Sequence, residues 1–95
     1  MFNWDERKAQ SNRRKHGVSF EEAATAFLDP DGLDGEDSEH SGIETRRLRL
    51  AKSSLGNLLL IAYTIRSRND EEITRIISAR RASRKERKKY EAEED

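Results

Sequence analysis

The sequence predicts an α+β fold with two N-terminal helices, an antiparallel sheet of three to four strands and a C-terminal helix. Three observations predict this class: two helix-start signals precede residue 30, strand-like patterns follow between residues 46 and 78, and a further helix-start signal comes next. Short turns between the strands require antiparallel neighbours. Because the chain has 95 residues, of which only 33% are hydrophobic, one domain spanning residues 1–95 is expected, with a thin core.

Two helices are predicted before residue 30. Residues 2–4 are expected to form a short strand or a packed arm. The first helix begins after Asp5, a typical N-cap, and ends near His16, ahead of a glycine. Ser19 and Glu22 form a capping box, so a second helix is predicted to start there and to be stopped by the following Asp-Pro pair.

The predicted sheet occupies the middle of the chain. Residues 29–45 are rich in glycine and aspartate and are expected to form a loop, with a brief strand near Leu33. Residues 46–50 alternate polar and apolar side chains, as a half-buried strand does, and the apolar run 58–65 predicts a central strand. Residues 72–78 supply the next strand. The turns are predicted at residues 53–57 and 66–70.

The basic segment 75–90 contains eight cationic side chains and one acidic side chain. It passes from the last strand into a helix that a capping box, Ser83 with Glu86, starts and that is expected to end near Glu93. Cationic groups on a strand end and a helix face suit the binding of phosphates, although a solvated charged helix would have the same composition. The net charge is zero because residues 29–44 carry seven acidic side chains and no Lys or Arg.

Composition excludes several kinds of site. The chain has no cysteine, so it has no disulfide, thiol nucleophile or zinc–thiolate centre. Its two histidines, His16 and His40, lack the spacing of metal ligands, and no metal or other cofactor is predicted. The apolar run 58–62 is too short to span a membrane, and charged residues 5–8 interrupt any signal peptide. A soluble, cytoplasmic protein is expected.

Two long motifs and a set of single positions occur in the order in which a known family carries them. The motifs are residues 15–23, KHGVSFEEA, and residues 75–80, RIISAR. The single positions are Trp4, Asp5, Lys8, Asn12, Phe27, Asp29, His40, Ser41, Glu44, Arg46, Tyr63, Thr64, Arg66, Ala82, Glu86, Arg87 and Tyr90. Over nearly the whole chain these residues resemble the BrnT toxins, the toxic halves of bacterial type II toxin–antitoxin pairs. In two places the chain departs from that family: residues 31–43 are more acidic, and Leu50-Ala51 stands where many relatives have Ile-Gly.

The resemblance implies a RelE-like fold and a ribonuclease activity that inhibits translation without a metal cofactor. It also implies a BrnA-type antitoxin that binds operator DNA through a ribbon-helix-helix domain. In that family an antitoxin dimer holds two toxins, and the heterotetramer represses its own operon. RNA is the implied substrate, and no membrane partner is implied.

His16 and His40 are the candidate acid and base for cleaving RNA without a metal. Such a reaction needs a base for the ribose 2′-OH, cations for the phosphoryl oxygens and an acid for the leaving 5′-oxygen. Imidazole titrates near neutral pH. Lys15, which belongs to the predicted catalytic set, favours the neutral form of His16, and the acidic loop favours an imidazolium at His40. Glu44 is a further candidate base, or else an ion-pair partner of a nearby arginine. The alternatives are that His16 satisfies a helix C-terminus and that His40 orders the entry into a strand.

Arg66 and Arg80 complete the predicted catalytic set, and Arg75 is expected to bind RNA beside them. Guanidinium stays charged and contacts two phosphate oxygens at once, as stabilisation of a phosphoryl transition state requires. Arg66 and Arg75 meet only if the strand register allows it, and the sequence does not determine that register. The alternative for each arginine is a surface salt bridge with Glu71 or Glu72.

Other cationic and aromatic residues are expected to position the RNA. Lys8, Arg84 and Arg87 are predicted to contact its backbone without recognising bases. Trp4 and Tyr63 have the flat faces on which a base can stack. The alternatives are that Trp4 anchors the first helix and that Tyr63 lies in the core with its hydroxyl hydrogen-bonded.

Two functions of other classes remain open at this stage. One is a non-catalytic module within a DNA-binding repressor complex, which the basic final helix fits equally well. The other is an interaction protein whose charged surface is covered by its partner.

Overall fold

The computed structural model describes residues 1–93, so that Glu94 and Asp95, the end of the expected domain, lie outside the described residues. The α+β class is confirmed. No helix in this part of the chain is long and apolar enough to cross a membrane. The elements are β1 (Phe2–Asn3), α1 (Glu6–His16), α2 (Phe20–Thr25) with a 3-10 turn (Ala26–Leu28), β2 (Leu33–Glu36), β3 (Arg47–Lys52), β4 (Leu58–Arg68), β5 (Glu71–Arg81) and α3 (Arg84–Glu93).

The sheet has five strands in the order β1-β5-β4-β3-β2, and it is mixed. Strands β2 to β5 pair antiparallel, whereas β1 runs parallel to β5 with Phe2 opposite Thr74. The prediction of three to four antiparallel strands is therefore wrong in number and at one edge. Strand β1 is only two residues long, too short for a period-two pattern, and it is tied on by the Thr74 N–H, which donates to the Met1 carbonyl at 2.8 Å.

The hairpin between β4 and β5 is longer than predicted. Its turn consists of Asn69 and Asp70, both with positive φ, 52° and 64°, rather than of residues 66–70. Two-residue turns with positive φ at both positions match the right-handed twist of the flanking strands, and Asn and Asp tolerate that conformation well. Arg66 therefore lies within a strand and not in a turn.

Helix α1 begins and ends where the sequence predicts. The Asp5 carboxylate accepts hydrogen bonds from the backbone N–H groups of Arg7 and Lys8, at 2.8 and 3.3 Å. Gly17 ends the helix in the left-handed conformation, with a φ of 71°. Both predicted caps are confirmed, and they place His16 in the last turn.

The second capping box forms only in part. The Ser19 hydroxyl accepts from the Glu22 N–H at 3.0 Å, as predicted. The Glu22 carboxylate, however, accepts hydrogen bonds from Ser53 Oγ and Asn57 Nδ2, at 2.7 and 2.8 Å. That carboxylate thus ties α2 to the turn between β3 and β4.

The core lies between one face of the sheet and helices α1 and α2. Trp4 packs edge-on against Phe20 of α2, with ring centroids 5.9 Å apart, and lies half-buried against the core. A register shift in β5 leaves Ile77 without a partner, because Ala62 pairs with Ser78 and Tyr63 with Ile76. The buried core residues are Ala9, Val18, Phe20, Ala23, Ala26, Ala51, Leu59, Ile61, Ile76 and Ala79.

The other face of the sheet is only partly covered. Helix α3 lies over one end of it, where Tyr90 packs with Leu50 and Leu58. The Tyr90 hydroxyl donates to Asp29 Oδ2 at 2.7 Å. We call the remainder of this surface the open face; Leu48, Leu60, Ala62, Ser78 and Arg80 share it, as the strand pairings show.

A buried asparagine joins α1 to the free edge of β5. The Asn12 Nδ2 group donates to the carbonyls of Ala79 and Val18, at 2.8 and 3.0 Å, and its Oδ1 accepts from the Ala79 N–H at 3.1 Å. The amide therefore pairs with Ala79 much as another strand would. His16, one turn further along α1, is held near the same edge.

Candidate active site

A cavity of about 460 Å³ opens beside α3 on the open face. Its floor includes Leu48, Leu60 and Ala62. We call it the histidine cavity because both histidines of the chain line it. Its charged and titratable lining residues include His16, Asp37, His40, Arg46, Arg80 and Glu86.

Four separate parts of the chain bring these side chains together. His16 is the last residue of α1, and Arg80 lies on β5 opposite Leu60. Glu86 projects from the first turn of α3. His40 comes from the loop between β2 and β3. Of the six residues predicted to be catalytic, this cavity thus collects His16, His40 and Arg80.

Arg80 and Glu86 form a paired fork. Arg80 Nη1 and Nη2 donate to Glu86 Oε1 and Oε2, each at 2.9 Å. The Ser83 N–H also donates to Glu86 Oε1, at 2.8 Å, and the Glu86 N–H donates to Ser83 Oγ at 3.2 Å, so the predicted capping box is confirmed. The hydrogen bonds from Arg80 lower the pKa of Glu86, and those to Glu86 raise the pKa of Arg80. Both groups are therefore charged at neutral pH.

The loop that carries His40 is closed by its own hydrogen bonds. His40 Nδ1 lies 3.1 and 3.0 Å from the two carboxylate oxygens of Asp37. The Asp37 N–H donates to the Arg46 carbonyl at 2.8 Å. Ser41 Oγ donates to the Asp37 carbonyl at 2.8 Å and accepts from the Arg46 N–H at 3.0 Å. These bonds join the two ends of the loop and fix where His40 can lie.

Arg46 supplies a second guanidinium to the cavity. Its Nε is buried and makes no hydrogen bond within residues 1–93, although it lies 3.5 Å from Asp37 Oδ2. A buried N–H of a charged group without an acceptor is costly, and the Arg46 guanidinium adds a fixed positive charge to the cavity lining beside Arg80. The sequence indicated Arg46 as the start of a strand and as a position of the family resemblance, but not as a residue of the site.

Arg66 and Glu44, both predicted to be catalytic, form a separate ion pair. Arg66 Nε and Nη2 donate to the Glu44 carboxylate at 2.9 and 2.6 Å. Neither residue lines the histidine cavity. The pairing alternative for Glu44 is confirmed, with Arg66 as its partner. The hydrogen bonds from Arg66 lower the pKa of Glu44, and the charge of Arg75 adds to that effect.

Arg75 belongs with this second group, which we call the exposed arginine cluster: Glu44, Arg66 and Arg75. Arg75 pairs with Thr64 across β4, two positions from Arg66, and its Nη1 donates to Asn3 Oδ1 at 3.3 Å. Along β5 it lies about 16 Å from Arg80, at roughly 3.3 Å per residue. The three predicted arginines are thus divided between two places.

The remaining predicted contacts lie outside the cavity. Lys15, also predicted to be catalytic, and Lys8 are exposed on α1 and do not line it. Helix α3 turns Glu86 and Tyr90 toward the sheet, so Arg84 and Arg87 are exposed on its outer side.

Tyr63 has the alternative role that the sequence allowed. It is 4% exposed in the core, and its hydroxyl donates to Asp34 Oδ1 at 2.6 Å. Burial, followed by this hydrogen bond, raises the pKa of Tyr63. Its ring is therefore not presented for stacking on a base.

Sequence reasoning missed Asp37 and Arg46 as residues of the cavity, and it recognised Glu86 as a helix cap and a position of the family resemblance but not as a site residue. The signal for Asp37 was its position three residues before His40, but seven carboxylates crowd residues 29–44 and do not single it out. Within residues 1–93, no group of three or more His, Asp or Glu side chains is arranged to hold a metal ion.

Comparison with known proteins finds similarity to a protein family and to a solved structure. A family model described as the ribonuclease toxin BrnT of type II toxin–antitoxin systems matches residues 4–86. The crystal structure of the Brucella abortus ribonuclease toxin BrnT is similar to this one, with a TM-score of 0.62 and 21% sequence identity. The similarity covers 88% of this chain and 99% of that chain. No curated protein sequence matches the chain.

The family match extends from Trp4 to Glu86 and so includes the residues of the histidine cavity, from His16 at the end of α1 to the first turn of α3. The structural similarity independently supports the same fold over most of both chains. The chain belongs to the BrnT family of ribonuclease toxins of type II toxin–antitoxin systems.

Proposed function

We propose that this chain is an endoribonuclease toxin. The histidine cavity is its active site, and RNA is cleaved there without the help of a metal ion. The observation that carries the proposal is the convergence of two imidazoles and two guanidinium groups on one cavity. These are the groups that a metal-free cleavage of a phosphodiester requires: a base, an acid and fixed positive charge.

The reaction would be an in-line transfer within the RNA. One imidazole removes the proton of the ribose 2′-OH, and the 2′-oxygen forms a bond to phosphorus. The bond between phosphorus and the 5′-oxygen breaks, and the other imidazole protonates that leaving oxygen. The products are a 2′,3′-cyclic phosphate and a free 5′-hydroxyl. We assign the acid to His40, because Asp37 faces its Nδ1, and the base to His16.

Arg46 and Arg80 would stabilise the charge that develops on the phosphoryl oxygens. Arg46 has a buried Nε with no acceptor within the described residues. Arg80 is held by Glu86 through Nη1 and Nη2. A phosphate that approaches Arg80 must therefore use its remaining donors or displace the Glu86 carboxylate.

The test is RNA cleavage by the purified toxin in the presence of excess EDTA. We expect cyclic-phosphate products from the wild type and a loss of about 100-fold or more for His16→Gln and His40→Gln. The rate should vary with pH between about 6 and 8, where imidazoles titrate. Lys85→Gln, which removes an exposed cation of α3, is the control and should cleave normally. Cleavage only with added divalent metal, or a flat pH profile, would contradict the proposal.

The biological role in the proposal rests on the family. We propose that the chain acts in the cytoplasm and that its cleavage of RNA inhibits translation. We also propose that a BrnA-type ribbon-helix-helix antitoxin neutralises the toxin, and that two toxins bind an antitoxin dimer, which in turn binds operator DNA. A RelE-like arrangement of the fold is part of the same proposal and is supported by the order of the helices and strands. Growth arrest on expression, relieved by co-expression of such an antitoxin, is the expected result; a chain that never arrests growth would contradict it.

A second candidate function is a non-catalytic module in a repressor complex. The observation that favours it is the exposed cationic side of α3, with Arg84, Arg87 and Lys88 away from the cavity. Under this alternative the chain expressed alone should not arrest growth, and substitution of these three residues should weaken operator binding by the complex. Arg80→Ala should abolish toxicity only if the cavity is catalytic.

A further inference from the structure

We infer that Asp37 is a positioning residue that holds His40 with Nδ1 toward the carboxylate and leaves Nε2 for the RNA. The inference rests on the proposed function, since it gives the acid of that reaction its orientation. It adds a residue that neither the family match nor the sequence pattern assigns.

The contact is short and two-pronged. His40 Nδ1 lies 3.1 Å from Asp37 Oδ1 and 3.0 Å from Asp37 Oδ2. A carboxylate that faces one ring nitrogen accepts a hydrogen bond from an N–H there, so it selects the tautomer with hydrogen on Nδ1. The other nitrogen, Nε2, is then the atom that can exchange a proton with a substrate.

The side chains of Asp37 and His40 differ in exposure, as expected if one positions the other and the other contacts RNA. The Asp37 side chain is 11% exposed, whereas that of His40 is 60% exposed. A positioning group must be fixed by its surroundings, and a group that meets a large substrate must be reachable. Asp37 is fixed through its backbone, because its N–H donates to the Arg46 carbonyl and its own carbonyl accepts from Ser41 Oγ.

Asp37 is also placed between two cationic partners. Its Oδ2 lies 3.0 Å from His40 Nδ1 and 3.5 Å from Arg46 Nε. Removing its carboxylate should therefore release both the His40 ring and the Arg46 side chain at the same time. The charged and titratable groups that line the cavity around His40 are His16 from α1, Asp37, Glu39 and Arg46 from the loop region, Arg80 from β5 and Glu86 from α3.

The first experiment reads the tautomer of His40 directly by ¹⁵N NMR of the free protein. The chain has only two histidines, so a His16→Gln variant assigns the signals. In the wild type above neutral pH we expect hydrogen on Nδ1 and none on Nε2 of His40. In Asp37→Ala, which keeps the backbone hydrogen bonds of the loop, the signals should shift toward the tautomer with hydrogen on Nε2. An unchanged tautomer would overturn the inference.

The second experiment measures the pH dependence of RNA cleavage by Asp37→Asn. Asparagine keeps the size of the side chain and an acceptor oxygen but removes the charge. The pH profile should differ from that of the wild type, and the rate at pH 7 should fall by about tenfold or more. Asp37→Glu, which restores a carboxylate, should recover part of the loss.

Glu36→Gln is the matched control. It removes one negative charge next to Asp37 in sequence, but its side chain points to the opposite face of the sheet, as its pairing with Arg47 requires. Its pH profile should equal that of the wild type. An Asp37→Asn profile that also equals the wild type would overturn the inference while cleavage itself stands. If the wild type cleaved no RNA, the proposed function would fail, and the NMR result would still decide the orientation of His40.

Discussion

The chain contains two arginine–glutamate pairs with nearly the same geometry and different surroundings. Arg80 with Glu86 and Arg66 with Glu44 are both bidentate, with distances of 2.9 and 2.9 Å in the first pair and 2.9 and 2.6 Å in the second. The first pair lines a cavity together with both histidines. The second joins Arg66 on β4 to Glu44 in the loop before β3, and its side chains are 51% and 41% exposed, against 41% and 26% for Arg80 and Glu86.

The difference shows that ion-pair geometry alone does not mark an active site. A bidentate pair in solvent contributes little, because water screens it and both side chains lose freedom. The pair in the cavity has neighbours that can take part in the reaction: imidazoles for proton transfer and a second guanidinium, that of Arg46. The two places differ in the side chains that surround the guanidinium and not in the guanidinium itself.

The most direct test of whether the two pairs differ in function is to replace each arginine in turn. If the cavity is the site, Arg80→Ala should slow RNA cleavage by about 100-fold or more, the usual cost of losing one donor to a developing negative charge. Arg66→Ala should cost less than about tenfold, because it would act only on RNA attraction. Cleavage rates at saturating RNA measure both. The reverse order of effects would move the reaction to the exposed arginine cluster.

A second prediction uses the dependence of the cavity on α1. Asn12→Ala leaves the N–H and carbonyl of Ala79 without their partner, and it should lower the free energy of unfolding by about 2–3 kcal/mol. Because the same amide holds the end of α1 against β5, His16 should also lose its place in the cavity. Denaturant unfolding and the cleavage rate test the two parts. The exposed arginine cluster has no residue from α1, so the Glu44–Arg66 pair should persist.

A third prediction compares the two glutamates by pH. Arg80 lowers the pKa of Glu86 below its ordinary value of 4.5, so the stabilisation is fully present above that pH and is lost as the pH falls through the folded-state value. At pH 7, Glu86→Gln should be less stable than the wild type by about 1 kcal/mol, and the difference should vanish in acid. Glu44→Gln should show no detectable change in unfolding at any pH or salt concentration. Equal effects of the two substitutions would mean that their surroundings do not matter.

The sequence predicted the local features of the fold well. Asp5, Gly17 and the Ser83–Glu86 box act within a few residues of themselves, so their patterns carry the whole of their effect. The long-range features were different. Strand β1 has only two residues, and the Glu22 carboxylate accepts hydrogen bonds from Ser53 and Asn57, more than thirty positions away. Neither outcome leaves a periodic signal in the chain.

The candidate site was predicted only in part for the same physical reason. Residue type identified His16, His40 and Arg80, because imidazole and guanidinium are the groups this chemistry uses. Which arginine stands beside which imidazole depends on the register, and pairing of Glu44 with Arg66 joins residues 22 positions apart. Arg46 and Asp37 become visible as members of the cavity only when the loop closes.

The single unpaired residue Ile77 changes the odd–even count along β5. Arg75 and Arg80 are separated by an odd number of positions, so in an uninterrupted strand their side chains would point to opposite sides. The extra residue lets both share one side, while Ile76 and Ala79, also an odd number apart, both enter the core. Deleting Ile77 would therefore make the side chains of one half of the strand switch faces of the sheet. Either a guanidinium would then point into the apolar interior or an isoleucine would point into water. A relative without this insertion would present a different set of side chains to RNA even where the letters of the two sequences agree.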